Sequence, residues 1–273
     1  MLKDITLGQY YPVKSFVHDL DPRVKILLTI AFIVAVFLGS SLACAIPITL
    51  FILLAARAAN LPVKLLLKGI KPLRLILVFT FLLNLFFTAG DNVLLSVWKI
   101  RVTLEGLEMA CRFSLRLVFL VTGASILTLT TQPVALTDGM ERLMSPLAKI
   151  GFPAHELAMM MSIALRFIPT LLEEADKIMK AQMARGADFE SGNLLQRAKA
   201  MVPLLVPLFI SAFRRANDLA MAMEARCYRG GEGRTKMKPL IYQKRDFAAY
   251  LCLLAYMVVS ITVGRSAIFT LSF

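Results

Sequence analysis

Residues 26–56 read ILLTIAFIVAVFLGSSLACAIPITLFILLAA, a run of 31 residues without one charged side chain. As a single helix the run would rise about 46 Å, which exceeds a hydrocarbon core of about 30 Å. Gly39-Ser40-Ser41 and Pro47 offer a break near its middle. The flanking residues 1–25 and 57–74 are both basic, as is typical of cytoplasmic loops. The run therefore predicts a hairpin of two short membrane spans.

The composition of the whole chain agrees with a membrane protein. Hydrophobic residues make up 58% of it and the mean hydropathy is +0.71, whereas a soluble domain is about half apolar. The net charge of +13 is compatible with nucleic-acid binding, but the basic residues flank apolar spans, and the positive-inside bias explains them better. The four cysteines lie far apart without metal-ligand or redox spacing, so we expect neither a disulfide nor a metal site.

Three further apolar segments complete the predicted spans, at about residues 73–89, 103–131 and 247–264. Thr103 is placed to cap the second of these segments. The mixed charges of the loop from Gly90 onward fit the outer face. Five spans put the N-terminus in the cytoplasm and the C-terminus outside.

These spans predict an all-α fold, a polytopic membrane helix bundle with a cytoplasmic coupling domain of two long crossed helices. The predicted domains are residues 1–131, an N-terminal membrane region of about four spans; residues 132–246, the cytoplasmic coupling domain; and residues 247–273, the last transmembrane helix and an outer tail. Arg112 and Arg116 lie near the outer end of one span. We prefer snorkelling to the headgroups over an ion pathway for these two side chains.

Two long helices are predicted in residues 132–246, which hold 17 basic and 12 acidic residues. The first covers residues 154–185, and Pro169 is expected to kink it. Its apolar residues recur with alternating spacings of four and three, which predicts a seam for packing against another helix; the seam comprises Leu157, Met161, Ala164, Ile168, Leu171, Ala175, Ile178 and Gln182. The second helix covers about residues 194–228, with Ala212, Ala216, Leu219 and Met223 on a similar stripe.

Both helices finish in the same way. The first ends in Ala184-Arg185-Gly186 and the second in Ala225-Arg226-Cys227, and each arginine extends its helix's stripe. Taken singly, each arginine fits ordinary capping by a basic residue. The pairing favours two prongs presented to a partner, because a guanidinium can hold carboxylates and helix-end carbonyls.

Methionines around these helices indicate a surface for partners or for helix packing. Flexible, polarizable side chains let one surface accept several partners, although core filling is the ordinary role of a single methionine. The candidates are Met159, Met160, Met161, Met179, Met183, Met221 and Met223.

At several places the sequence resembles the T component of energy-coupling factor transporters, which import vitamins and trace metals. The resembling runs cover nearly the whole chain: Asp21-Pro22-Arg23-Val24-Lys25, Leu165-Arg166-Phe167-Ile168-Pro169, Glu173-Glu174-Ala175, Ala181-Gln182 with Ala184-Arg185-Gly186, Arg214-Arg215-Ala216 with Leu219-Ala220, and Ala222-Met223-Glu224-Ala225-Arg226. Cys227 departs from the family pattern, in which Gly or Ser is more usual at that place.

The resemblance implies a division of labour. Two cytoplasmic ATP-binding cassette subunits would hydrolyse ATP with Mg²⁺, and one or more membrane S components would bind the substrate. This chain would couple them, docking the ATPases through Ala184-Arg185-Gly186 and Ala225-Arg226-Cys227, with no cofactor of its own. The expected role is vitamin uptake at the cell membrane. A T component dedicated to cobalt or nickel is the alternative.

Other classes fit the sequence less well. No phosphate-binding loop occurs, since Gly230-Gly231 belongs to a segment without the Lys-Ser/Thr ending, and we interpret that segment as a flexible connector. His155 is expected to be exposed, and no nucleophile and base form a recognisable set, so we expect a non-catalytic chain. A self-sufficient secondary transporter would need ionisable groups in mid-span, and the spans are nearly charge-free.

Overall fold

The computed structural model describes residues 10–39, 42–88, 92–97, 100–187, 189, 193–231, 237 and 239–271. These residues form nine α-helices and one small hairpin. The helices are α1 Pro22–Leu38, α2 Ala45–Ala58, α3 Val63–Ile70, α4 Arg74–Phe87, α5 Leu104–Thr130, α6 Pro133–Met144, α7 Ala154–Ala184, α8 Leu194–Ala225 and α9 Lys244–Leu271. Short 3₁₀ turns occupy Leu42–Cys44, Lys71–Leu73 and Ser145–Ile150. The predicted helical fold class is confirmed.

The chain divides into two compact units. We call the one formed by Gly8–Met140 and Leu240–Phe273 the bundle unit, and the one formed by Glu141–Pro239 the α7–α8 unit. The boundary falls within α6. Among the described residues, three helical stretches are long and apolar enough to cross a membrane, judged by length and composition: Val63–Phe87, Leu104–Thr130 and Ala154–Ala184.

The uncharged run breaks where the sequence predicts. α1 ends at Leu38 and α2 begins at Ala45, with Gly39 as the C-cap of α1. Arg116 on α5 donates to the carbonyl oxygens of Phe37 and Gly39 over 3.4 and 3.1 Å. A cation at a helix C-terminus satisfies carbonyls that have no partner within the helix. Arg116 therefore caps the C-terminus of α1, a role that the predicted snorkelling to the headgroups does not include.

The span predicted at residues 73–89 forms α4, and a helix that the sequence did not predict leads into it. α3 precedes α4 directly, joined by the 3₁₀ turn at Lys71–Leu73, so the apolar helical stretch covers Val63–Phe87. Leu66 is buried while Lys64 and Lys68 are exposed, an amphipathic pattern. Residues 57–74, predicted as a basic loop, are thus largely helical.

A β-hairpin interrupts the helices before α5. Its strands are β1 Val93–Val97 and β2 Ile100–Thr103, paired antiparallel with Val97 opposite Ile100. The hairpin lies within the loop predicted from Gly90, a residue outside the described ones. Thr103 caps α5 as predicted, since its side-chain oxygen accepts from the Gly106 amide over 3.1 Å.

The core of the bundle unit contains an aromatic cluster. Phe51 stacks on Tyr256 with 4.5 Å between ring centroids, and Phe32 stacks on Phe51 at 5.7 Å. Gly123 on α5 faces the Phe32 ring so closely that a Cβ there would lie 2.5 Å from a ring carbon. The missing side chain thus lets α1 and α5 approach closely.

The segment Asp21-Pro22-Arg23-Val24-Lys25, one of the family-like runs, joins three helices of the bundle unit. Asp21 caps α1, and Arg23 donates to its carboxylate over 2.7 and 3.0 Å and to the Leu240 carbonyl over 3.1 Å. Burial raises the pKa of the Asp21 carboxyl, but hydrogen bonds and charge from Arg23 outweigh it and leave that pKa below its ordinary value. Lys25 donates to the carbonyls of His18 and Thr130, the latter at the end of α5.

One buried carboxylate accepts hydrogen bonds from the backbone amides at the starts of two helices. Asp246, with 1% of its surface exposed, accepts from the backbone amide of Asp21, the N-cap of α1, over 3.0 Å. Its other oxygen accepts from the amide of Gln243, just before α9, over 2.7 Å. Both amides lie at helix starts, where no intrahelical acceptor exists. Asp246 thereby holds α1 and α9 together.

Candidate coupling helices

α7 and α8 confirm the two long helices that the sequence predicts, and they run antiparallel. Met159 and Ile163, early in α7, line a cleft together with Leu219 and Met223, late in α8. Further along α7, Glu174 accepts from Arg215 over 2.8 Å. The pairing partner on α8 therefore moves toward lower numbers as α7 advances. The ion pair also joins two of the family-like runs, Glu173-Glu174-Ala175 and Arg214-Arg215-Ala216.

The face of α7 that meets α8 differs from the predicted seam. The contacting side chains include Met159, Ile163 and Glu174, which lie roughly opposite Met161 and Ala164 on a helix with 3.6 residues per turn. Met161 and Ala164 are exposed. The stripe predicted on α8 does face α7, since Leu219 and Met223 line the shared cleft. The other six residues of the predicted α7 seam are half-buried, so the seam packs in part and is open at Met161 and Ala164.

The two arginine motifs end their helices with the same set of backbone hydrogen bonds. At α7 the amide of Gly186 donates to the Met183 carbonyl, and that of Ala187 donates to Gln182, both over 3.0 Å. At α8 the amide of Cys227 donates to Glu224 over 2.8 Å, and that of Tyr228 donates to Met223 over 3.0 Å. This is the Schellman arrangement. Arg185 and Arg226 occupy the C-cap position in each.

The third residue of each motif adopts the left-handed conformation that this ending requires. Gly186 has φ +89° and Cys227 has φ +56°. Only glycine takes such a value without steric cost, which explains why a small residue follows each arginine. Cys227 meets the same demand with a Cβ present.

The two arginines are exposed and far apart. Arg185 and Arg226 both lie at the surface, and among the described residues neither forms an ion pair. Arg226 lines the cleft beside Met159, near the start of α7, whereas Arg185 ends that helix. The rise along α7 from Met159 to Arg185 is roughly 39 Å. The motifs therefore stand at opposite ends of the helix pair, where each can meet a separate partner.

The cleft at the end of α8 is an open cavity of about 470 Å³. Its lining holds two further arginines, Arg166 from α7 and Arg229 just beyond the motif. The segment after the motif passes close to His155: a Cβ on Gly231 would lie 2.5 Å from that ring. His155 in turn contacts Glu141 over 2.9 Å. His155 is half-buried, so the prediction that it is exposed is wrong. The segment predicted as a flexible connector packs against this ring at Gly231.

The predicted methionine surface is partly exposed. Met160, Met161, Met183 and Met221 lie at the surface, whereas Met159, Met179 and Met223 are half-buried. A second apolar surface, on the middle of α8, was not predicted from the sequence. Its residues recur every three to four positions, which is the signal that could have found it; they are Val202, Leu205, Val206, Phe209, Ile210 and Phe213, all exposed.

Known proteins resemble the sequence of this chain over nearly its whole length. Residues 13–237 match the family model of CbiQ, described as a cobalt transport protein. A protein of Clostridium kluyveri named energy-coupling factor transporter transmembrane protein EcfT is 58% identical over 262 residues, covering 96% of this chain and 97% of the relative. The chain belongs to the EcfT family. The EcfT proteins of Acidaminococcus fermentans and Bacillus subtilis are 58% and 48% identical, over 94% and 93% of this chain and 96% of each relative.

Membership of the EcfT family confirms the resemblance and makes this chain a transmembrane component of an energy-coupling factor transporter. The family model covers both arginine motifs and the bundle unit up to the loop before α9. An integral membrane location follows from the family and from the apolar helices.

We expect Cys227→Gly to stabilise the end of α8 in this EcfT chain by about 0.5–1 kcal/mol, because glycine removes the steric cost of positive φ. Hydrogen exchange at the Cys227 and Tyr228 amides should slow by a corresponding few-fold. The matched control is Gly186→Ala, which introduces the same cost at α7 and should accelerate exchange there. A variant Cys227→Gly with faster exchange at these amides would contradict the capping role.

Proposed function

We propose that this chain couples two cytoplasmic ATP-binding cassette subunits to a substrate-binding S component in a vitamin importer. One ATPase docks at Ala184-Arg185-Gly186 and the other at Ala225-Arg226-Cys227. The observation that carries the proposal is the matched pair of helix ends, each with an exposed arginine at the C-cap, at opposite ends of an antiparallel pair. Two helix ends that each present an arginine suit two partner subunits, one at each end.

The proposal assigns the S component to the apolar surfaces that α7 and α8 leave uncovered. These are the exposed methionines of α7 and the six-residue face of α8. A contiguous exposed apolar surface marks an interaction site in a protein that is otherwise stable. When the ATPases close and move the helix ends, this surface moves with them and reorients the S component.

The proposed topology keeps the N-terminus and the α7–α8 unit in the cytoplasm and the C-terminus outside. α7 is long and apolar enough to span, but its mean hydropathy of 1.2 is the lowest of the three candidate helices, which otherwise reach 1.7 and 1.8. Its second half also carries charges that a membrane core disfavours: Glu173, Glu174, Asp176, Lys177 and Lys180. We place α7 at the cytoplasmic membrane surface for this reason.

In this scheme the chain is non-catalytic and holds no cofactor, and ATP and Mg²⁺ bind in the partner ATPases. A second candidate is a T component dedicated to cobalt or nickel, because the matching family model is described as a cobalt transport protein. The two candidates differ in their S components, since a shared module meets several and a dedicated one meets a single type.

The test is recovery of the tagged chain from detergent-solubilised native membranes, followed by mass spectrometry and an ATPase assay. The expected result is two ATP-binding cassette subunits, with ATPase activity, and one or more small membrane proteins. Several S-type proteins would support the shared vitamin module, and a single one with metal-dependent uptake would support the dedicated system. Recovery of the chain alone, active in transport without ATPases, would refute the coupling function.

A further inference from the structure

We propose that the cleft between α7 and α8 binds carboxylate side chains of the ATPase docked at the α8 end, with Arg166 and Arg229 acting beside Arg226. The inference rests on the proposed function and adds two contact residues to it.

Charge is the first argument for this occupant. Three guanidinium groups line one open cavity of about 470 Å³, and no acidic side chain stands among its described lining residues. All three arginines are exposed, so the cleft presents a local positive charge that attracts an anionic partner. Guanidinium forks pair with carboxylates through two parallel hydrogen bonds. A partner that brings Asp or Glu side chains therefore satisfies the cleft.

The second argument is the apolar part of the cleft lining, which a protein side chain can cover and a free anion cannot. Met159, Ile163, Leu219 and Met223 supply apolar surface next to the arginines. An acidic residue flanked by apolar residues on a partner helix would cover both kinds of surface. Buried apolar area would then exclude water from the ion pairs and strengthen them.

The walls of the cleft are held in place, which is the third argument. The Schellman bonds fix Arg226 and Tyr228 at the end of α8. Gly231, just beyond the lining residues, packs against the His155 ring at the start of α7, where Glu141 holds the imidazole. Arg166 reaches the cleft from α7 itself. A carboxylate bound here would bridge both coupling helices.

The test counts ATPase subunits on the full-length chain by native mass spectrometry of the purified complex. Wild type should carry two, and the double variant Arg166→Gln/Arg229→Gln should lose one, with dissociation at least about tenfold faster. Arg214→Gln, an exposed arginine of α8 outside the cleft, is the control and should keep two. Two ATPases with unchanged dissociation on the double variant would overturn the inference while leaving the coupling function intact. A wild-type chain that binds none would refute both.

A second measurement identifies the ligand chemistry. Arg166→Lys and Arg229→Lys keep the charge and provide an amine that a carbodiimide can couple to a neighbouring carboxylate. We expect a zero-length cross-link to the ATPase at the introduced lysine of each cleft variant, located by peptide mass spectrometry, and none at the introduced lysine of Arg214→Lys. Absence of cross-links from both cleft variants would refute a carboxylate partner. Loss of binding to phosphatidylglycerol vesicles in the Gln variant, with the ATPase count unchanged, would assign the arginines to lipid headgroups instead and overturn the proposal.

Discussion

Charge reversal at both arginine motifs is expected to abolish ATPase binding, and reversal at one to remove a single ATPase. Arg185→Glu and Arg226→Glu each place an anion where the partner groove accommodates a cation. Losing such a contact costs on the order of 2–5 kcal/mol, or roughly 30-fold to several thousand-fold in affinity. ATP-dependent uptake in proteoliposomes should fall to background in the double variant, because a chain without bound ATPases has no source of ATP-driven motion.

The control for this result is Arg214→Glu, an equal charge change at an exposed position of α8. It should retain both ATPases and uptake. A glutamate at a helix C-terminus also destabilises the helix by about 0.3–1 kcal/mol through the macrodipole. The variants Arg185→Gln and Arg226→Gln remove the cation without adding a negative charge, so weaker ATPase binding in them reports on docking and not on the helix end. Full ATPase recovery and uptake in the double Glu variant would contradict docking through these motifs.

Helix ends are predictable from sequence because their signals are local. The triplets at residues 184–186 and 225–227 show where α7 and α8 end, and the structure supplies the reason for their third residue in positive φ. The cleft behind Arg226 was not predictable in the same way. Arg166 reaches it only through the register of the antiparallel pair, and no local pattern specifies that register.

The face on which α7 meets α8 illustrates a second limit. The most apolar stripe of α7 was assigned to helix packing, yet Met161 is 49% exposed and the contact with α8 includes the ion pair of Glu174 and Arg215. Sequence patterning detects surfaces that leave water, without telling an internal neighbour from a lipid or a subunit. In a subunit of a larger membrane complex, the strongest stripe can serve an external contact.

In the bundle unit, too, local sequence signals predicted helices well and long-range contacts poorly. Absence of charge in residues 26–56 and the break at Gly39 are strong signals, and both helices formed as predicted. α3 was missed because Lys64 and Lys68 marked its sequence as a loop, although a lysine on the outer face of an amphipathic helix is equally ordinary. Asp246 was passed over because its partners, Asp21 and Gln243, come together only when α1 and α9 are side by side.

Asp246→Asn is expected to destabilise the chain by about 2–4 kcal/mol, because the amide keeps one acceptor and turns its NH₂ group toward a second backbone N–H. The apparent unfolding midpoint in detergent should fall by roughly 5–15 °C. The neighbouring change Asp19→Asn provides the control: its ion pair with Arg245 spans 2.9 Å, but the two side chains are 53% and 52% exposed, so the loss should be below about 1 kcal/mol. Equal midpoints for Asp246→Asn and wild type would show that the carboxylate does not hold α1 and α9 together. We expect Asp246→Asn to keep its ATPase binding at low temperature. That result would show that Asp246 stabilises the bundle unit, and that docking depends on the ends of α7 and α8.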